Sequence, residues 1–262
     1  MGLPHRSPAM AETPNRANGA ATAPPVLPPL YRSLAPLAPE RHRALRLRQA
    51  GYGVAAGANA IPLAAEEFPL AARSLPIVFG AQAPHLPAAL TSLAANNNLF
   101  VGSDGAWRAG AYVPAYLRRL PFYPVRAGAG SDQMVLCIDT QAPQVSESEG
   151  EPLFDAEAKP TPVLDRALAF AKSVEEAMLR TRAITDRLNL LGLLKPAVVQ
   201  FPHQGKPMRI DGFFAVDRPA LAALPAETLA ELRDRGWLEA IYAHLLSLAG
   251  LPELARSLPQ PG

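Results

Sequence analysis

The chain has 262 residues, with 25 Lys and Arg against 23 Asp and Glu, a net charge of +2, and 49% hydrophobic residues. This is a globular composition, long enough to bury a substantial core, and it lacks the strongly basic balance of a dedicated nucleic-acid binder. A single cysteine, Cys137, excludes an internal disulfide and a Cys-based zinc site.

The charge is unevenly spread. Residues 1–50 carry seven Arg and two Glu, and Arg41, Arg43, Arg46 and Arg48 concentrate this excess. The plain reading is a solvated strand face, and an acidic partner is the alternative. The first 25 residues lack the apolar run of a signal peptide, and no stretch approaches 18 uninterrupted apolar residues. No membrane span is expected, and cytoplasmic residence is the default expectation.

Residues 1–29 are rich in Pro and Ala and short of large apolar side chains, so a disordered tail is expected. One domain is expected over residues 30–258, beginning with a β-rich part over 30–140. Apolar and basic residues alternate over 44–48, the period of a half-buried strand. Further short strands are predicted at 61–63, 77–79, 99–101, 122–125 and 134–139. Short helical segments are predicted at 66–74 and 113–119, and turn residues punctuate 96–98, 103–105 and 126–132. An acidic connector is assigned to 141–160, because Ser146-Glu147-Ser148-Glu149-Gly150-Glu151 lacks the ordered carboxylate spacing of a calcium loop.

The helical part is assigned to 161–258. Leu164, Leu168, Ala171, Val174, Met178, Ile184, Leu188 and Leu191 recur at helical spacing, with Pro162 at the first helical position and Gly192 as a stop. Thr161 is the expected N-cap of this long helix. A hairpin is predicted from 197–201 and 208–216, then helices near 226–235 and 237–249, the last apolar nearly all round and therefore buried. The fold class that follows is α+β: a β-rich N-terminal half packed with a long helix, a β-hairpin and C-terminal helices.

No phosphate loop, zinc-protease motif, nucleophile elbow or dinucleotide fingerprint is present. Two constellations remain. Trp107, Tyr112, Tyr116, Phe122 and Tyr123 lie beside Arg118 and Arg119. Aromatics mixed with Arg line peptide grooves through stacking and bidentate contacts, or form a core edge with Arg stems lying over it. The candidate binding residues are Trp107, Tyr112, Tyr116, Arg118 and Arg119. The second constellation is a two-His-one-carboxylate iron site, which would need folding to join His42 and His244 to Asp139 or Glu67. The bland alternative for His244 is a core-boundary histidine bonded to backbone. Cys137, within an apolar strand, reads as an inert buried thiol.

Several stretches together resemble the SapC family, named from surface-layer protein export loci. They are Glu40-Arg41-His42, Glu67-Phe68-Pro69, Pro76-Ile77-Val78-Phe79, Asn98-Leu99-Phe100-Val101, Asp104-Gly105-x-Trp107 and Tyr112-Val113-Pro114-Ala115-Tyr116-x-Arg118-Arg119. Leu136-Cys137-Ile138-Asp139, Glu149-Gly150-Glu151-Pro152-Leu153-Phe154-Asp155 and Tyr242-Ala243-His244-Leu245 continue the series. Val54 and Leu120 stand where relatives often carry an aromatic, so neither is expected to stack on a ligand. The resemblance implies a link to export, assembly or modification of surface proteins, and it carries over no catalytic residue. It also implies a genomic setting beside iron- and 2-oxoglutarate-dependent oxygenases, halogenase-like flavoproteins and TonB-dependent receptors. The leading expectation is a non-enzymatic accessory module with a protein or peptide partner, no nucleic acid and no cofactor. The alternative is an iron-dependent enzyme, or a partner of one.

Overall fold

The computed structural model describes residues 27–128, 134–203 and 206–256. Most of the expected tail, the centre of the 126–132 turn and Gln204-Gly205 of the hairpin turn lie outside the described residues. The fold is α+β, and every strand pairing is antiparallel.

Order in the N-terminal half runs β1 (Leu34–Pro36), α1 (Pro39–His42), β2 (Arg46–Leu47), β3 (Ala60–Pro62), α2 (Phe68–Ala71), β4 (Ile77–Gly80) and β5 (Pro87–Leu90). It continues with α3 (Ala115–Arg118), β6 (Phe122–Arg126), β7 (Met134–Asp139), β8 (Val145–Ser146) and β9 (Glu151–Pro152). The C-terminal half holds α4 (Pro162–Leu190), β10 (Leu194–His203), β11 (Lys206–Val216), α5 (Arg218–Ala222), α6 (Ala226–Asp234), α7 (Trp237–Ser247) and α8 (Leu251–Arg256).

Among the described residues three sheets result, with strand orders β1-β7-β6, β10-β11-β4-β5-β3 and β8-β2-β9. The five-stranded sheet joins the two halves of the chain, because Phe213 and Phe214 of the late hairpin pair with Gly80 and Phe79 of β4. The main core lies over this sheet, where Phe68, Leu75, Ile77, Phe79, Leu188, Leu232, Ile241 and Leu245 pack together. A second core sits between the small sheets and the start of α4, built on Leu45, Phe122, Ile138, Leu153 and Leu164. Among the described residues no helix is long and apolar enough to cross a membrane.

Four local expectations need correction. Residues 99–101 form no strand: Phe100 N–H donates to the Asn98 side chain and only Val101 bridges Trp107. An Asn that captures the amide two residues on closes a turn and removes a ladder donor. Thr161 does not cap α4, because its hydroxyl donates to the Pro152 and Leu153 carbonyls and ties the helix start to the connector. Helix α7 is not buried on all sides, since Leu246 is 68% exposed and Tyr242 49%. The 141–160 connector is partly paired, with β8 and β9 flanking β2. There Arg46 donates to Gly150 O at 2.8 Å, Arg48 pairs with Glu149 at 2.8 Å, and Arg43 bonds Ala156 O. The basic run is therefore folded onto the chain's own acidic stretch. Gly150 is needed at that turn: its φ is +96°, and a Cβ would run into the Leu47 carbonyl oxygen.

Candidate binding pocket

Helix α3 is only four residues long, yet it decides the fate of the aromatic–Arg run. Consecutive helical residues point about 100° apart, so the neighbours Arg118 and Arg119 face different surroundings. Arg119 is 3% exposed. Its guanidinium lies between the rings of Tyr116 and Tyr123, at 4.4 and 4.3 Å, and reaches Glu175 of α4 at 3.4 Å. Tyr31 packs edge-on against both tyrosines, and its hydroxyl donates to Phe122 O. Burial pushes the Tyr31 and Tyr116 hydroxyls well above the ordinary tyrosine range. Tyr116 and Arg119 thus form a core edge, which was one of the two readings of their pattern. The Arg119 Nε has no partner among the described residues.

Trp107, Tyr112 and Arg118 form the outward part. Trp107 donates from its indole N–H to Tyr112 O at 3.1 Å and stacks on Phe100. Tyr112 donates to Glu67 Oε1 at 2.9 Å and accepts from Arg118 at 3.2 Å. Burial, then the adjacent Glu67 carboxylate, pushes the Tyr112 hydroxyl up to about 12. Glu67 is a buried hub, also accepting from Ala64 N at 2.9 Å and Ala115 N at 2.7 Å. The exposed Arg118 guanidinium lies 5.8 Å from the Tyr112 ring and 5.2 Å from the Phe170 ring. No carboxylate among the described residues pairs with it.

Arg118 stands at one wall of a pocket of about 270 Å³, with Leu47, Arg48, Gln49, Ala50, Tyr52, Leu117, Leu120 and Gln144 around it. Arg48 is committed to Glu149 and to Pro143 O. Gln144 is 7% exposed, and its buried Oε1 has no donor among the described residues. The 47–54 segment that frames this space is held where Tyr52 N–H donates to Gly105 O at 2.7 Å. Gly51 has no room for a side chain against the same carbonyl. The pocket therefore presents one uncompensated cation and the rim of Tyr52, while the unpaired Gln144 Oε1 is buried in its wall.

The His42, Asp139 and His244 set is not brought together. Among the described residues no group of three or more His, Cys, Asp or Glu could hold a metal ion. The physical reason is that each is already engaged with backbone. His42 Nδ1 accepts from Ala38 N at the start of α1. Asp139 accepts from Arg32 N, Ser33 N and Gln141 N at 2.7, 3.1 and 3.0 Å. His244 is fully buried, accepting from Val216 N at 3.1 Å on Nε2 and donating to Ile77 O at 2.9 Å from Nδ1. Burial pushes it down to about 4, which keeps the ring neutral. Glu67, the alternative carboxylate, is occupied as described above.

The family profile described as SapC matches residues 37–254, most of the chain. The chain belongs to the SapC family. No curated protein and no solved structure matches it. In this SapC-family fold the quoted stretches serve packing and local geometry in large part: Glu67 with Tyr112, Asp104-Gly105 with the Gly51 turn, and His244 with β4 and β11. Gln144, Tyr52 and Phe170 were not singled out from sequence. Phe170 sits in an ordinary helical pattern, and a lone Gln or Tyr in a loop carries no spacing signal.

Proposed function

We propose that this chain is a non-enzymatic binding module that holds a carboxylate-bearing peptide segment of a partner protein at the Arg118 pocket. The observation that supports the reading most is the exposed Arg118 guanidinium at the wall of one small pocket, bonded to the Tyr112 hydroxyl and neutralised by no carboxylate among the described residues. A peptide carries the complementary group, an acidic side chain or terminal carboxylate. A guanidinium prefers carboxylate through paired, charge-assisted hydrogen bonds. The volume favours an anchoring residue over a larger cofactor, since small-molecule sites usually span about 300–1,000 Å³. Tyr52 lines the pocket, and the Tyr112 and Phe170 rings lie beside the Arg118 guanidinium.

The family name extends the proposal: the partner is a protein bound for the cell surface, and the module acts on it in the cytoplasm before export or modification. The test is selection from a displayed heptapeptide library against the full chain. Selected sequences should be enriched in Asp, Glu or an exposed C-terminus, and Arg118→Ala should weaken them at least about tenfold. Peptides without a carboxylate, or binding unchanged in Arg118→Ala, would place the function elsewhere.

A further inference from the structure

Helix α4 runs for 29 residues with its inner face in the core, through Leu164, Ala171, Val174, Ala177, Thr181, Ile184 and Leu188. Its outer face carries three of the molecule's exposed leucines, Leu168 (44%), Leu179 (46%) and Leu190 (77%). Single exposed apolar residues are ordinary on protein surfaces. These three are not scattered. Leu168 and Leu190 each lie eleven residues from Leu179. Eleven residues advance a helix by three turns plus about 20°, so all three fall on one line parallel to the axis.

The same line carries a charge pattern centred on Leu179. Lys172 lies seven residues before it and Asp186 seven residues after it, each within about 20° of the line. Lys172 forms no ion pair among the described residues, while Asp186 makes only a long, exposed contact of 3.9 Å with Arg182. The face is therefore self-complementary under a two-fold rotation at Leu179. Turning a second helix end for end lays Leu179 on Leu179, Leu168 on Leu190, and Lys172 on Asp186 twice over. An isologous interface requires this relation, in which residue i meets j and j meets i.

We infer that the outer face of α4 is a homodimer interface, in which two copies of this chain pack their long helices antiparallel about a two-fold axis through Leu179. The contact would span about 33 Å, from Leu168 to Leu190. A single helix pair of that length buries an area at the low end of specific interfaces, so the dimer is reversible.

Sedimentation equilibrium on the full chain tests this across a wide protein concentration range. The wild type should show a concentration-dependent monomer–dimer equilibrium. Leu179→Asp should be monomeric with an unchanged far-ultraviolet circular dichroism spectrum, because that side chain is half exposed in the monomer. Lys172→Glu should weaken association about tenfold by setting like charges against each other twice, and Lys172→Glu with Asp186→Lys should restore it. Leu179→Cys should form an intermolecular disulfide under copper–phenanthroline oxidation, since each thiol would face its own copy across the axis. A wild type that stays monomeric, or a dimer untouched by Leu179→Asp, would overturn the inference. So would a charge swap that fails to rescue.

Discussion

His244 gives the sharpest stability test, because it joins three elements through one ring. It accepts from Val216 N–H on β11, donates to Ile77 O on β4, and packs edge-on against Phe79 at 5.0 Å from within α7. Ser247 repeats the clip one turn later, accepting from Ile77 N and donating to His244 O. His244→Ala would leave a buried donor and a buried acceptor unpaired, each at about 1–3 kcal/mol, and would open a cavity beside Phe79. A loss of about 3–5 kcal/mol is expected, against about 5–15 kcal/mol for a whole domain. His244→Gln offers a donor and an acceptor on one side chain and should recover part of that loss. The pH dependence separates this account from a packing effect alone. The folded ring titrates at about 4, against an ordinary 6.5. Below pH 6.5 the unfolded chain binds a proton at this site that the folded protein refuses until about pH 4. Stability from this group is thus complete above pH 6.5 and falls as the pH drops towards 4, by about 3 kcal/mol. Urea denaturation of wild type and His244→Gln at several pH values between 4 and 7.5 reads the difference. An acid slope equally steep in both proteins, or a neutral His244→Ala, would refute the reasoning.

Three further expectations follow from burial. Arg119→Ala should destabilise by about 3–5 kcal/mol, leaving Glu175 and the tyrosine rings without their cation, while Arg118→Ala changes urea stability by less than about 0.5 kcal/mol. Leu245→Ala should lose about 2–5 kcal/mol and its exposed neighbour Leu246→Ala almost nothing, and equal losses would misplace the face of α7. Gly150→Ala should lower the thermal midpoint, because a positive φ and the Leu47 carbonyl both oppose a Cβ, whereas Glu149→Ala, which removes one exposed ion pair, should leave it nearly unchanged.

Much of this fold was legible because some elements carry an unambiguous period. Helix α4 announced itself through Leu164, Val174, Ile184 and Leu188, and strand β4 through an apolar run that is buried on both faces. The short pieces did not. Strand β1 holds three residues and β5 is Pro87–Leu90 with two alanines at its centre; both exist because β7 and β4 offer them ladder partners. Such pairing is tertiary and leaves no local pattern. Helix α8 likewise follows α7 through a single tight turn at 248–250. The site was half legible. The aromatic–Arg run drew attention to the region of the proposed pocket, but four helical residues are too few for periodicity to say that Tyr116 and Arg119 face inward while Arg118 faces out. Tyr52 and Gln144 join the pocket wall only through tertiary packing. The His42, Asp139 and His244 grouping failed for a related reason: polar residues look alike in sequence whether they await a metal or already hold a backbone.

The claim that an acidic peptide residue binds at Arg118 is tested most directly by calorimetric coupling. A selected peptide and its Asp→Asn or Glu→Gln counterpart would each be titrated into wild type and into Arg118→Ala. In wild type the neutral peptide should bind about ten to a hundred times more weakly, as loss of a charge-assisted pair implies. In Arg118→Ala the two peptides should bind alike. The same acid-to-amide loss in both proteins would show that the carboxylate is read by some other residue, and would contradict the account.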